Sequence, residues 1–496
     1  MAKVTWVLLS SGAPSRGVTV KRAVWVLVAA VALVAGACGA KGENSQKESE
    51  SEGSTTTVAT GGASVSSASF GDLQGDLCGP GEFSVNPAEA GLGADKLYIG
   101  VANDRSAEIR PGLNKVLYDS SVAFAGWCNE LGGIGGLPIE IVDLDAGVFN
   151  VEAAMTKACA DVFAMVGGGL VQDALEFSGK AGSDFHQCGM IDIPGFAVSV
   201  EKADSNGQVQ PVPNPGGTAA NTWYQDFTKL YPDAASKWAV AWGQLPSLEV
   251  VKIKYADAAA SVEGMNNLGE VVYPPAGVTD WTPYAQRMLG TGAEALSFVG
   301  EVDNLNSFLL KAREQGWKGI PLLETNMYDQ KLLDGAGAAS EGAVVRMGLH
   351  TLEEADKWPA IQQYIDINKK YQPGGELGAL GIQSLSAWLL FATSANECGA
   401  KNKGVLDRTC ILEQAAAVEE WTGGGLHSPQ NPGASTEAVA SSCNMLLVVK
   451  DGKFTRLYPK LGGEGDDVDG FHCPQDGVIK VTGEVGEGKV DPDRPI

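Results

Sequence analysis

Apolar runs and polar breaks alternate along most of the chain. Lys96-Leu97-Tyr98-Ile99-Gly100-Val101-Ala102 is a nearly continuous apolar run, too short for a helix, and reads as a buried strand. Residues 111–131 carry Val116, Leu117, Val122, Ala123 and Trp127 at helical spacing. Gly132-Gly133-Ile134-Gly135-Gly136-Leu137-Pro138 stops that helix, and a strand follows at 139–143. The same logic predicts a helix at 151–161, a strand at 162–166, a helix at 171–179 and a strand at 190–193. Four strands separated by helices on short connections predict a parallel sheet covered on both faces.

A second series repeats the pattern. It has helices at 223–231, 256–266, 281–289 and 303–315, and strands at 238–242, 269–273, 295–299 and 320–323. Two long helices, 358–371 and 380–395, precede strands at 444–449 and 453–458. The predicted fold class is α/β: two doubly wound parallel-sheet lobes. Such lobes leave a crevice beyond the carboxyl ends of their strands, where small molecules bind.

The N-terminal pattern is different. Lys21 and Arg22 precede an apolar run, Val24 to Val34, then small residues and Cys38. This is the order of a secretory signal, and at about 14 residues the run is short of the ~20 needed to span a bilayer. Val34-Ala35-Gly36-Ala37-Cys38 resembles the lipobox of bacterial lipoproteins, with Ala35 where a leucine is usual. Residues 1–37 are therefore expected to be a signal peptide, starting at Val18 or Val20, and Cys38 to carry a lipid. Residues 38–75, rich in Gly, Ser, Thr and Glu, are expected to be a flexible tether, with a reach of ~30 Å.

Charge removes some partners. The chain holds 60 acidic and 36 basic residues, net −24 at pH 7. Four of the basic residues and none of the acidic ones fall in 1–37, so the remainder is more acidic still. Nucleic acid is excluded, and the membrane is a partner only through the lipid.

Nine cysteines are present, and eight remain beside Cys38. An even number in an exported chain points to disulfides. Nearness in sequence suggests Cys398–Cys410, Cys443–Cys473, Cys159–Cys188 and Cys78–Cys128. No Cys-x-x-Cys occurs and the four histidines are scattered, so no metal is expected. No cofactor is implied.

The ordered segments resemble a known family. Leu97-Tyr-Ile-Gly-Val and Trp127-Cys-Asn-Glu-Leu-Gly-Gly-Ile-Gly-Gly-Leu-Pro-Ile-Glu-Ile-Val are similar to the opening of type 1 periplasmic binding proteins, in the leucine/isoleucine/valine-binding group. Phe163-Ala-Met-Val-Gly-Gly-Gly, Gly189-Met-Ile-Asp-Ile-Pro-Gly, Gly269-Glu-Val-Val-Tyr and Ala312-Arg-Glu-Gln-Gly-Trp-Lys-Gly continue the likeness, which runs from about residue 95 to the end. The resemblance implies a type 1 periplasmic binding protein fold with a three-crossing hinge. Lobe 1 would comprise 95–215 plus 349–442, and lobe 2 216–348 plus 443–496. It further implies a monomeric receptor on the outer face of the cytoplasmic membrane. That receptor would deliver a small organic solute (an amino acid, amide or aromatic acid) to an ABC permease and its ATPase.

Candidate ligand-binding residues follow from loop position. Gly167-Gly168-Gly169 follow a strand and precede a predicted helix, whose N-terminus offers N–H groups to an anion. Gly169, Leu170 and Gln172 are the contacts there, against the plainer reading of a tight turn. Gly195 and Phe196 lie after the fourth strand, Phe196 as a stacking surface or as local core. The group's amino-acid binders carry hydroxyls at both places and this chain does not, which favours a less polar or aromatic solute. Arg105 follows the first strand and could grip a carboxylate or form a surface ion pair. In lobe 2, Trp242 and Gln244, then Glu301, then Glu324, Asn326 and Tyr328 end strands, with the two glutamates as cation partners or solvated rim carboxylates. Gln383 opens an apolar helix near the cleft.

Enzyme signatures are missing. There is no Gly-x-Ser-x-Gly, His-Glu-x-x-His or P-loop motif, and Gly133-Ile-Gly135-Gly136 follows a helix, the reverse of a dinucleotide loop. The rival to an importer receptor is a cell-surface sensor that signals through a partner protein.

Overall fold

The computed structural model describes residues 68–494, apart from 109, 175–183, 434, 487 and 489. The expected signal peptide, Cys38 and most of the expected tether lie outside the described residues.

Two sheets organise the chain. The first has four parallel strands in the order Ile139–Asp145, Leu97–Asn103, Ala164–Val166, Asp192–Ile193. Six of the seven residues of Leu97–Asn103 are buried, because helices cover both faces. Lys115–Leu131 and Ala379–Lys401 pack on one side, with Pro359–Tyr371 against them, and Val151–Asp161 packs on the other. Phe124 stacks on Trp388 at 5.1 Å between two of these helices.

The second sheet has seven strands. Val344–Met347, Ile320–Leu323, Ala295–Val299, Trp238–Gly243 and Asn267–Tyr273 are parallel. Met445–Lys450 and Lys453–Tyr458 add an antiparallel hairpin at one edge. Thr282–Thr291 and Val302–Glu314 cover one face, Thr222–Leu230 and Pro246–Ala260 the other. The parallel α/β class expected from the pattern is the class observed.

Several elements depart from the pattern reading. The helix expected at 256–266 is Pro246–Ala260. Pro246 sits in the first turn, where its missing N–H costs nothing, and that start signal outweighs the weak apolar spacing before Ala256. The helix expected at 171–179 is not seen at 171–174, and a short turn of helix appears only at Asp184–Gln187. The strand Val344–Met347 and the helix Arg408–Ala416 were not apparent from spacing.

Four disulfides join Cys78 to Cys128, Cys159 to Cys188, Cys398 to Cys410 and Cys443 to Cys473, the pairs that sequence nearness suggests. The first fastens the segment before the first strand to Lys115–Leu131. Cys398, Cys410 and Asp407 lie close enough to hold an ion, but both sulfurs are consumed by their disulfide.

The C-terminal segment does not end on the seven-stranded sheet. Val478–Lys480 pairs with Thr218–Ala220 in a small antiparallel sheet. Asp257 then accepts from the Thr482 and Gly483 N–H groups. The chain returns to the first lobe, where Asn206 Nδ2 donates to the Asp491 and Arg494 carbonyls and Arg494 lies over Phe185.

Candidate functional site

Strand ends from both sheets and the segments joining them enclose a cavity of about 300 Å³. That is at the low end of the ~300–1,000 Å³ typical of small-molecule sites. Val116, Val171, Phe196 and Leu380 line it from the first lobe, and Leu248, Val251, Phe298 and Val302 from the second. Its walls mix apolar and polar surface, with charged groups concentrated at two places.

One group lies where the lobes face each other. Arg110 bonds Glu301, and its Nε donates to Asp303 Oδ2 at 3.0 Å. Lys331 pairs with Glu376 at 3.1 Å. Both pairs run from one lobe to the other, so they form only when the cleft is narrow.

The second group lies deeper, toward the crossing segments. Glu324 Oε2 accepts from Arg346 Nε at 2.6 Å and from the Thr325 N–H at 3.1 Å. The Arg346 guanidinium sits 5.4 Å from the Trp223 ring. Lys254, nine-tenths buried, donates to Asn214 Oδ1 at 2.6 Å and to the Pro215 carbonyl at 2.9 Å. Burial lowers its ammonium pKa to about 8. Beside it the Tyr255 ring meets Trp223 edge to face at 5.1 Å, and its buried hydroxyl has no hydrogen-bond partner.

The cavity gathers some of the residues singled out from sequence. Phe196, Glu301, Glu324 and Asn326 line it, as does Gln383, whose buried Oε1 has no partner. Both glutamates are already paired with arginines, so neither is a free site for a cation. Asn326 Nδ2 donates weakly to the Gly300 carbonyl at 3.3 Å.

The others lie outside the lining, each for a visible reason. Arg105 is held by Asp143 and Asp145 and lies over Tyr118, so its charge is satisfied locally. Gly169 donates its N–H to the Ala102 carbonyl at 2.9 Å, Leu170 is core, and Gln172 Nε2 donates to the Val148 carbonyl. The expected anion-binding helix start is thus absent at 171–174. The three glycines serve packing: a Cβ on Gly168 would lie 2.4 Å from Ala102 N, and one on Gly169 2.3 Å from Phe196 Cε1. A Cβ on Gly195 would lie 2.8 Å from the Gly167 carbonyl oxygen. Trp242 Nε1 donates to Glu270, Gln244 is exposed, and the Tyr328 hydroxyl is engaged by Glu353 and the Leu352 N–H.

Sequence reasoning missed Arg110, Lys254, Tyr255 and Arg346. Arg346 sits in the strand that was not recognised, and Lys254 and Tyr255 in the ten residues by which the helix start was misplaced. The available signal was Pro246 followed by Leu248, Val251 and Tyr255 at helical spacing, with Lys254 on that inward face.

Comparisons agree with this architecture. Residues 235–452 match the model of a family described as periplasmic binding protein. A leucine-binding protein, LivK, from Thermotoga maritima MSB8 is 15% identical with a TM-score of 0.57, over 73% of this chain and 97% of that one. The branched-chain amino acid transporter substrate-binding protein LivJ from Streptococcus pneumoniae, in complex with isoleucine, is 15% identical with a TM-score of 0.57, over 73% and 100%. A fatty acid ABC transporter substrate-binding protein from Thermomonospora curvata is 16% identical with a TM-score of 0.57, over 74% and 92%. No curated protein sequence matches. At such identities the likeness is one of fold.

Proposed function

We propose that this chain, which has the type 1 periplasmic binding protein fold, is an extracytoplasmic solute receptor of an ABC importer, anchored by a lipid on Cys38. The observation that carries this reading is the cavity lined by both lobes and closed by ion pairs between them. A receptor closes by as much as its ligand prefers the closed state, and pairs that reach across the cleft add to the closed one. The lobes are taken as 95–215 plus 349–442 and 216–348 plus 443–496, with the last few residues returning to the first.

The solute class is a small organic molecule with an apolar body. The solved structures of similar fold include a leucine-binding protein and a fatty acid transporter component, and the cavity walls here suit such bodies. Phe196 forms one wall, and Glu301 and Glu324 fix the two arginines. The role is binding and delivery to a permease, not catalysis. Attachment is assigned to the lipid on Cys38; among the described residues no helix is long and apolar enough to cross a membrane.

A melting screen of the purified protein with amino acids, amides, organic acids and sugars at millimolar concentration tests the reading. A ligand at 100 times its Kd adds ~2.7 kcal/mol, a readable shift. Flat curves across the whole panel would overturn the receptor reading.

A further inference from the structure

We infer that the deep end of the cavity is a carboxylate-binding subsite and that the solute is an amphipathic monoanion without an amino group, its head on Lys254 and Tyr255 and its apolar body toward Phe196. The inference rests on the solute-receptor reading and specifies its ligand.

The contacts of Lys254 carry it. Among the described residues no carboxylate lies within 4 Å of Lys254 Nζ, whose partners are the neutral Asn214 amide and Pro215 carbonyl. Arg346 is neutralised by Glu324 at 2.6 Å. Asp204 and Glu324 act on Lys254 only through space, and Asp204 accepts from the Gly216 N–H, so the buried ammonium has no carboxylate in contact with it. An unpaired buried charge is costly, and an incoming anion relieves that cost. An ammonium has three donors and two of Lys254's are used, which leaves one for a ligand oxygen.

Tyr255 supplies the second observation. Its hydroxyl is buried on the cavity wall with nothing to donate to, a position that a ligand acceptor satisfies. A carboxylate seated between Lys254 and Tyr255 takes a bond from each. It also sits beside Asn214, on the segment leading from one lobe to the other.

The same contacts oppose an α-ammonium at this end of the cavity. Such an ammonium would need a free carboxylate near the head group; Glu324 is occupied by Arg346 and the Thr325 N–H, and Asp204 bonds the Gly216 N–H outside the cavity lining. Placed beside Lys254 it would meet a like charge.

The test is calorimetric titration of the full purified protein with matched probes: hexanoate, hexanamide and norleucine, then phenylacetate, phenylacetamide and phenylalanine. The acids are expected to bind about tenfold or more tighter than either counterpart, because a charge-assisted bond replaces a neutral one. Lys254→Met should remove the preference for acid over amide. Tyr255→Phe, which deletes an unbonded hydroxyl and should fold normally, should weaken the acids about threefold or more and leave the amides unchanged. Equal binding of acid and amide, tighter binding of the amino acids, or acid binding unchanged in both variants would overturn the subsite while leaving the receptor reading in place. No binding by any acid would also overturn it, and only failure of the wider melting panel would remove the receptor reading as well.

Discussion

Arg110 Nε and Asp303 Oδ2 meet at 3.0 Å across the mouth of the cleft, one residue from each lobe. The same guanidinium bonds Glu301, so a single side chain from the first lobe holds two carboxylates of the second. Asp303 is more than half exposed, which keeps the link weak enough to break.

Replacing Arg110 by Gln should open the unliganded protein and weaken solute binding by about three- to tenfold, the equivalent of roughly 1 kcal/mol for a partly exposed ion pair. Small-angle scattering of the free protein and the dissociation rate of a bound solute check this. An unchanged radius and unchanged dissociation would show that the pair contributes nothing to closure.

Gly169→Ala should impair binding without touching the solute. The added Cβ would fall 2.3 Å from Phe196 Cε1, so the ring must turn into the cavity it now borders. Overpacking of this kind costs ~1–3 kcal/mol, so the melting temperature should fall modestly while affinity falls steeply. Phe196→Ala combined with Gly169→Ala should restore much of the stability, which a melting series on the two single variants and the double variant would reveal.

Removing the Cys78–Cys128 bridge by replacing both residues with Ala should cost ~3–4 kcal/mol, as expected for closing a loop of 50 residues. Denaturant unfolding measures the loss. Intact-mass analysis with and without reduction should find no free thiol among these eight cysteines.

Acidity should tune the stability of the first lobe through the buried Asp104. Burial raises its carboxyl pKa to about 6, although the Val148 and Val171 N–H groups bond it. A folded-state pKa above the unfolded value means that the folded form binds the extra proton. Stability from this group is therefore greatest in acid and is lost as pH rises from about 4 through 6, by up to ~3 kcal/mol. Asp104→Asn should gain on the wild type as pH is raised across that window, read as the difference between their melting temperatures. A constant difference from pH 4 to pH 7 would contradict the assignment.

Much of the architecture was legible because buried parallel strands write themselves as apolar runs. Leu97–Asn103, Trp238–Gly243 and Ala295–Val299 were readable for that reason. Val344–Met347 was not, since Arg346 interrupts four residues with a charge that points into the cavity. Site reading failed in the same way. Loop position after a strand found Phe196, Glu301, Glu324 and Asn326, which do face the cavity. It also chose Arg105, Trp242 and Tyr328, which belong to local networks that no linear pattern reveals, and Gln244, which is exposed. Lys254 was invisible for the opposite reason: a lysine inside a helix reads as solvated, and only tertiary packing shows it buried.

The returning C-terminal segment sets a limit on motion. It is fastened to Asp257 on the second lobe at Gly483 and to Asn206 on the first at Asp491. Eight residues of fully extended chain span about 28 Å. That length is a stop: the lobes can swing apart only until this stretch is taut, after which one of its anchors must release. The count of residues thus places an upper bound on the separation of these two anchors, and shortening the stretch would lower that bound without altering any group that lines the cleft.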